Sequence, residues 1–192
     1  LEALELLKAQ IDAVHPLNES TWEEFSALWS PVSAKRKEIL TKAGETEKYL
    51  YFVMNGIQRA YAVHADKEAT IVFTYAPSFS GIIDSFFTQA PSGYYLETLT
   101  QSSLLRIHYN DMARLMGKHK EMEVWIRIAM AHALAGVLQR QKELMCYSAE
   151  EKFRALLKRS PHVLNLIPHK YLASYIGVDP ATFSKLLSSV RL

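Results

Sequence analysis

Apolar residues near the start of the chain recur at helical spacing. Leu4, Leu7, Ile11 and Val14 predict a first helix ended by Pro16, and Trp22, Phe25, Leu28 and Trp29 a second, stopped by Pro31. Ser20 with Glu23 three residues on reads as the capping box that opens this second helix. The period then changes. Residues 32–41 and 48–75 are rich in Tyr, Phe, Val, Ile and Thr, and Asn55-Gly56 between Tyr49–Met54 and Ile57–Val63 predicts a hairpin turn. A turn at Ala65-Asp66-Lys67 leads into Ala69–Tyr75, and strands are expected over Tyr94–Leu99 and Ser103–His108, after a loop at Pro91-Ser92-Gly93. About six short strands with no helical crossovers predict an antiparallel roll or jelly roll.

Beyond Tyr109 the pattern is helical again, briefly over Asp111–Met116 and then without a proline from about Glu121 to Tyr147. Val124, Ile128, Ala131, Ala135, Leu138 and Met145, with Ala129, Ala133 and Gly136, put small and apolar residues round much of this long helix. A helix apolar over more than one stripe buries more than one face. One face is expected on the roll and the other on a second copy of the chain, making this a dimerisation helix; the alternative is a helix that crosses the core of a monomer. Ser148-Ala149-Glu150-Glu151 is a further capping box, starting a helix through Lys158 that ends before Pro161.

The richest pattern lies at the C-terminal end. Pro168 suits the first turn of a helix that runs through Leu172 and Ile176 to Gly177, a residue able to take the positive φ of a helix end. Asp179 can cap a second helix with Pro180 at its first position, and Phe183, Leu186, Leu187 and Val190 then recur on its inner face. Ala173, four residues ahead of Gly177, lets the two helices cross closely, while Leu172, Ile176, Val178, Phe183 and Leu186 form their shared core. This is a helix-turn-helix pattern. Its outward face would carry Ala181, Thr182, Lys185 and Ser188, with Ser184 beside it, and Lys170 sits on the preceding helix. Such residues can bond base edges or phosphate oxygens in a major groove of double-stranded DNA; the alternative is a helical hairpin whose small polar face is only solvated.

Charge supports that assignment without deciding it. The 192 residues carry a net +2, but from Glu150 to Leu192 there are seven Lys or Arg against three acids, leaving fifteen bases and seventeen acids before them. A single cysteine, Cys146, excludes an intrachain disulfide and any Cys-only metal or cluster site within one subunit. No apolar stretch approaches the length of a membrane helix and no signal-like segment opens the sequence, so a cytoplasmic location without membrane association is expected. The seven histidines form no His-x-His pair of the kind a metal-dependent jelly-roll enzyme needs, and there is no nucleophile-elbow motif. No catalytic residue, metal or cofactor is nominated, and the protein is not expected to be an enzyme.

With these pieces in hand, nearly the whole chain resembles the Crp/Fnr family of regulators. The resemblance rests on Gly44-Glu45 followed by Tyr49–Gly56, similar to the family's glycine-bounded strand pair, and on the tail from Leu172 to Lys185. It looks most like the Bacteroidetes branch. It implies an α+β protein with a cyclic-nucleotide-binding-like effector domain (1–117), a double-stranded β-helix or jelly roll with flanking helices; a long dimerisation helix (118–147); and a helix-turn-helix DNA-binding domain (148–192). Nucleotide-binding members carry a Gly-Glu-Leu turn and a downstream Arg-Ser or Arg-Thr pair. Here the turn reads Gly81-Ile82-Ile83 and the later segment Pro91-Ser92-Gly93-Tyr94, so no carboxylate meets a ribose and no arginine a cyclic phosphate. Any pocket lined by Gly81, Ile82, Ser92, Gly93 and Tyr94 is therefore expected to hold an unknown small-molecule effector, or to be filled by Ile82, Phe86, Phe87 and Tyr94. Many family members continue into a β-wing past the recognition helix; the sequence is either truncated at Leu192 or lacks the wing, and in the latter case fewer phosphate contacts would give lower affinity and a shallower salt dependence. The resemblance implies a homodimeric transcription regulator, against which stands a ligand-sensing module that keeps the helical tail as packing.

Overall fold

A computed structural model describes residues 2–189. Helices α1 (Glu2–Asp12) and α2 (Glu19–Ala27) lead into β1 (Ser30–Ala34), β2 (Ile39–Thr41), β3 (Tyr49–Asn55), β4 (Ile57–His64), β5 (Lys67–Tyr75) and β6 (Ser78–Ser80). The short α3 (Ile83–Thr88) follows, then β7 (Tyr95–Thr98), β8 (Ser102–His108), α4 (Tyr109–Lys118) and the long α5 (Lys120–Cys146). Four helices complete the order: α6 (Ala149–Arg159), α7 (Val163–Leu166), α8 (His169–Ile176) and α9 (Pro180–Ser189). Two four-stranded sheets, ordered β1-β8-β3-β6 and β2-β7-β4-β5, form the antiparallel roll and give the α+β architecture. Among the described residues no helix is long and apolar enough to cross a membrane.

The two N-terminal helices form where the apolar spacing puts them, but α2 opens earlier than its Ser20–Glu23 signature implies. Asn18 is the cap: its Oδ1 accepts the Thr21 N–H at 2.9 Å, and Ser20, inside the helix, donates its hydroxyl to the same oxygen at 3.0 Å. Glu121 selects Asn18 by accepting both its backbone N–H, at 2.8 Å, and its side-chain amide.

A second departure concerns Asn55-Gly56. The residues do not close a hairpin, because β3 and β4 belong to different sheets. β3 pairs with β8 from Tyr49↔His108 to Asn55↔Ser103, with a register shift after Val53, and Gly56 then turns the chain across to the other sheet. Gly56 has φ +95°, and an added Cβ would fall against Ser102 Oγ and 2.7 Å from the Gln101 carbonyl oxygen. Glycine is required here by a left-handed backbone and a close approach together. The hairpin signal was chemically sound at the turn but silent about which strand lies next door. The turn at Ala65-Asp66 does join neighbours, β4 and β5, with φ of 47° and 64° at those two residues. Left-handed conformations at both central positions match the twist of a two-residue hairpin.

The sheet β1-β8-β3-β6 is buried on both faces. Leu50, Phe52, Leu105 and Ile107 point to one side, where Leu7, Ile11, Phe25, Met112, Leu115 and Trp125 cover them. Tyr51, Val53 and Leu104 point to the other, into the roll, where they meet Ala60, Ile82 and Leu96. Strict alternation along β3 and β8 thus supplies two cores from one pair of strands. Contacts divide the chain into two compact units, residues up to 60 with 73–132, and 61–72 with the residues from 133 on.

Replacing Gly56 with Ala is expected to lower stability by about 2–3 kcal/mol, because a strained φ and a backbone clash combine. Urea unfolding checks it; a loss below about 0.5 kcal/mol would mean the corner adjusts freely.

Candidate nucleic-acid interface

The second unit owes its core to α6, α8 and α9. Ser148 caps α6 through the reciprocal capping box with Glu151, and the helix turns Phe153, Leu156 and Leu157 inward. α8 adds Leu172, Ala173 and Ile176, all fully buried, and α9 adds Phe183 and Leu186. Phe183 meets Phe153 edge to face at 5.4 Å between centroids and His169 at 5.5 Å. Each fully buried side chain of this size contributes about 2 kcal/mol by removal of apolar area from water.

Backbone chemistry fixes the angle between α8 and α9. Gly177 ends α8 in the left-handed conformation, φ 66° and ψ 39°, its N–H reaching Ser174 O, and the Val178 N–H returns to Ala173 O at 3.0 Å. That arrangement satisfies carbonyls which a helix end otherwise leaves open. Two residues on, Asp179 accepts the Thr182 N–H at 2.9 Å and the Thr182 hydroxyl at 2.6 Å. These hydrogen bonds hold the Asp179 carboxyl below its usual range, as befits a helix N-cap.

The residues nominated for DNA contact fall as follows. Ala181, Ser184, Lys185 and Ser188 are exposed on α9, Thr182 is half-buried, and Lys170 is exposed in the first turn of α8 with its Nζ 4.8 Å from the Tyr171 ring centroid. Leu187 is half-buried, and Val190, assigned to the same inner stripe, lies outside the described residues. The hydroxyls are turned inward to the backbone: Ser184 donates to Pro180 O at 3.0 Å and Ser188 to Lys185 O at 2.9 Å. With those protons engaged the oxygens offer lone pairs outward, and Lys185 is the strong donor of this face.

A polar junction that the sequence pattern missed ties the end of α5 to this unit. Glu143, only 2% exposed, accepts both guanidinium N–H groups of Arg159, at 2.8 and 3.1 Å, and one from Arg140 at 3.2 Å. Arg140 also stacks over Tyr175, 4.1 Å from its centroid, and donates to the Tyr175 carbonyl. The Arg159 hydrogen bonds are the main reason that the Glu143 carboxyl is held down at about 2. Arg140 and Glu143 stand at helical i, i+3 spacing, a usable signal, whereas nothing in the sequence brings Arg159 to them. Thr70, on the hairpin of the same unit, donates its N–H to Ser174 Oγ at 2.9 Å.

In the roll, the residues nominated as a ligand pocket are bound up in the fold. Ile82 is 3% exposed within the interior cluster against which Tyr94 packs, and its N–H reaches the buried Glu47 carboxylate at 3.3 Å. Glu47 also accepts the Thr41 hydroxyl at 2.7 Å, and burial raises its pKa despite these bonds. Ser92 is buried, exchanging hydrogen bonds with the Tyr94 backbone through its hydroxyl and with Gly44 and Glu45 through its own backbone. Gly81 has φ +143°, and Gly93 is exposed with open space where a Cβ would stand. Phe86 and Phe87 do not join Ile82 and Tyr94; they belong to the cluster on the opposite side of the sheet, with Phe86 against Tyr109 at 5.6 Å.

The family model of the cyclic nucleotide-binding domain matches residues 31–119. Over this segment the chain is similar to a cyclic nucleotide-binding domain. Solved structures share this fold, and the likeness extends over most of the chain. FixK2 from Bradyrhizobium japonicum superposes with a TM-score of 0.75 at 15% identity, covering 83% of each chain. The c-di-GMP responsive global regulator CLP of Xanthomonas campestris gives 0.66 at 18% identity over 89% of this chain and 90% of its own. The catabolite activator protein of Thermus thermophilus gives 0.55 at 18% identity over 93% and 88%. No curated protein sequence matches the chain. Among the described residues no group of three or more His, Cys, Asp or Glu side chains could hold a metal ion.

The Glu143 junction carries a pH signature. A depressed carboxyl contributes stability that is present above its unfolded value, near 4.5, and is lost as pH falls through about 2. Glu143→Gln is expected to flatten the wild type's loss of stability across that interval, measured by thermal unfolding at a series of pH values; an unchanged slope would show that the junction contributes nothing net.

Proposed function

We propose that the protein is a DNA-binding transcription regulator of the Crp/Fnr kind, with a cyclic-nucleotide-binding-like domain as its effector-responsive part and α8–turn–α9 as its helix-turn-helix. The observation that carries the proposal is the α8–α9 turn: a left-handed Gly177, a buried Ala173 and an Asp179 cap hold α9 so that Phe183 and Leu186 face inward while Ala181, Ser184, Lys185 and Ser188 stay exposed. Lys185 would donate to guanine or phosphate. The outward lone pairs of Ser184, Ser188 and Thr182 would accept from the amino groups of adenine or cytosine, and Lys170 would reach the backbone.

The working form is a homodimer formed through α5. Leu134, Val137, Leu138 and Met145 are 58, 64, 56 and 77% exposed along that helix, a stripe of apolar side chains that a second copy would cover. Pairing of this kind would set two recognition helices about 34 Å apart, matched to successive major grooves of a near-palindromic site. The proposed effector domain does not bind cyclic AMP or cyclic GMP by the family's usual residues. Ile82 occupies the interior where a carboxylate would be needed, and Ser92 spends its hydroxyl on Tyr94. The nucleotide site is in this sense degenerate, as in the Bacteroidetes branch, and the effector is of another kind.

Selection from a randomised duplex library at moderate salt tests the reading. Wild type is expected to enrich a two-fold symmetric site, and Lys185→Ala to lose the enrichment or to lower the salt slope of binding by about 1; no enrichment by wild type at any salt overturns it. Calorimetry with cyclic AMP is expected to give no saturable heat in the micromolar range, and a micromolar constant would restore the nucleotide reading.

A further inference from the structure

Arg106 lies on β8 two residues beyond Leu104, and therefore on the face of the sheet turned into the roll. Its guanidinium sits over the Tyr49 ring, 4.4 Å from the centroid, and Tyr51 is its cross-strand neighbour. The other arginines tucked into the fold have carboxylate partners: Arg59 pairs with Glu97 at 2.8 Å, and Arg140 and Arg159 share Glu143. Arg106 is different. It is half-buried, its Nε is shut off from solvent with no hydrogen-bond partner, and among the described residues no carboxylate pairs with it. A covered N–H left without an acceptor lacks a hydrogen bond that an incoming acceptor can supply.

The surroundings indicate what kind of acceptor would do so. The Tyr49 ring covers the guanidinium, and a planar, two-oxygen anion is the acceptor whose shape matches a guanidinium N–H edge. Tyr49 and Tyr51 border Arg106, and Val32 and Leu40 pack against the same cluster as these two rings. Burial raises the Tyr51 phenol well above its usual range, with Glu47 adding to the effect and Arg106 opposing it, so this wall stays uncharged. The Glu47 carboxylate accepts the Tyr49 N–H at 3.2 Å and so puts an acid close by. One cation among apolar walls with an acid near by suits a monoanion with an apolar body and disfavours a doubly charged phosphate.

We propose that Arg106, stacked on Tyr49, is the anion-recognising group of a site inside the roll for small monocarboxylates that carry an apolar body. The carboxylate meets the guanidinium edge and the body lies against Tyr49 and Tyr51. The site is separate from the segment 81–94, where the family's nucleotide residues would stand, and it does not depend on DNA binding by α9.

The test uses the full chain with benzoate and hexanoate as probes, benzamide as an uncharged shape control and inorganic phosphate as an anion without an apolar body, followed by calorimetry and by the Arg106 Nε–H resonance. At least one carboxylate is expected to bind saturably and to move that resonance, Arg106→Gln to weaken it by about tenfold or more, and benzamide and phosphate to do neither. Failure of both carboxylates to saturate by about 10 mM overturns the proposal, as does equal binding by Arg106→Gln. Should that variant unfold, the wild-type resonance decides: if it shifts with benzamide as much as with benzoate, or with neither, the proposal falls.

Discussion

Everything in the first unit depends on the ladder between β3 and β8. Both faces of those strands are buried, so register there cannot slip by one residue without exchanging two cores: Leu50 and Phe52 would leave the helices and Tyr51 and Val53 would leave the roll. Half-exposed sheets tolerate polar residues on the outer face, but this one has no outer face along its middle strands. That is why a guanidinium at position 106 is so consequential. It stands on a surface where its neighbours Leu104 and Tyr51 are nearly water-free, and aromatic stacking is the compensation that its own fold supplies.

Local chemistry was legible in the sequence and long-range pairing was not. The Ser148–Glu151 capping box, the Asp179 cap and the left-handed Gly177 are satisfied within four residues of themselves, so their residue types announce them. Asn55-Gly56 shows the limit: a turn-forming pair specifies that the chain bends, while the sheet that receives the next strand is chosen by β7 and β8, some forty residues later. Ser20 was outcompeted by Asn18 for a similar reason, since Glu121 lies 103 positions away. Strand β6 and helix α3 are too short to impose a period on the sequence.

The candidate interface divides along the same line. The inward and outward faces of α9 could be assigned from spacing, because a helix repeats its geometry every turn. What holds the unit could not: Thr70 meets Ser174 across 104 positions, and Arg159 meets Glu143 with no periodic relation between them. In the roll, Ile82 was recognisable as apolar, yet its burial in the same cluster as Leu96 and Leu104, apart from Phe86, followed only from the topology.

The Glu143 junction has a consequence for how the second unit opens. One carboxylate receives Arg159 from α6 and Arg140 from its own helix, and Arg140 also closes on the last turn of α8 at Tyr175. Loss of any one of these helix ends removes a partner from the same junction. Their opening is thereby coupled, and the backbone amides at the ends of α5, α6 and α8 are expected to exchange with solvent together.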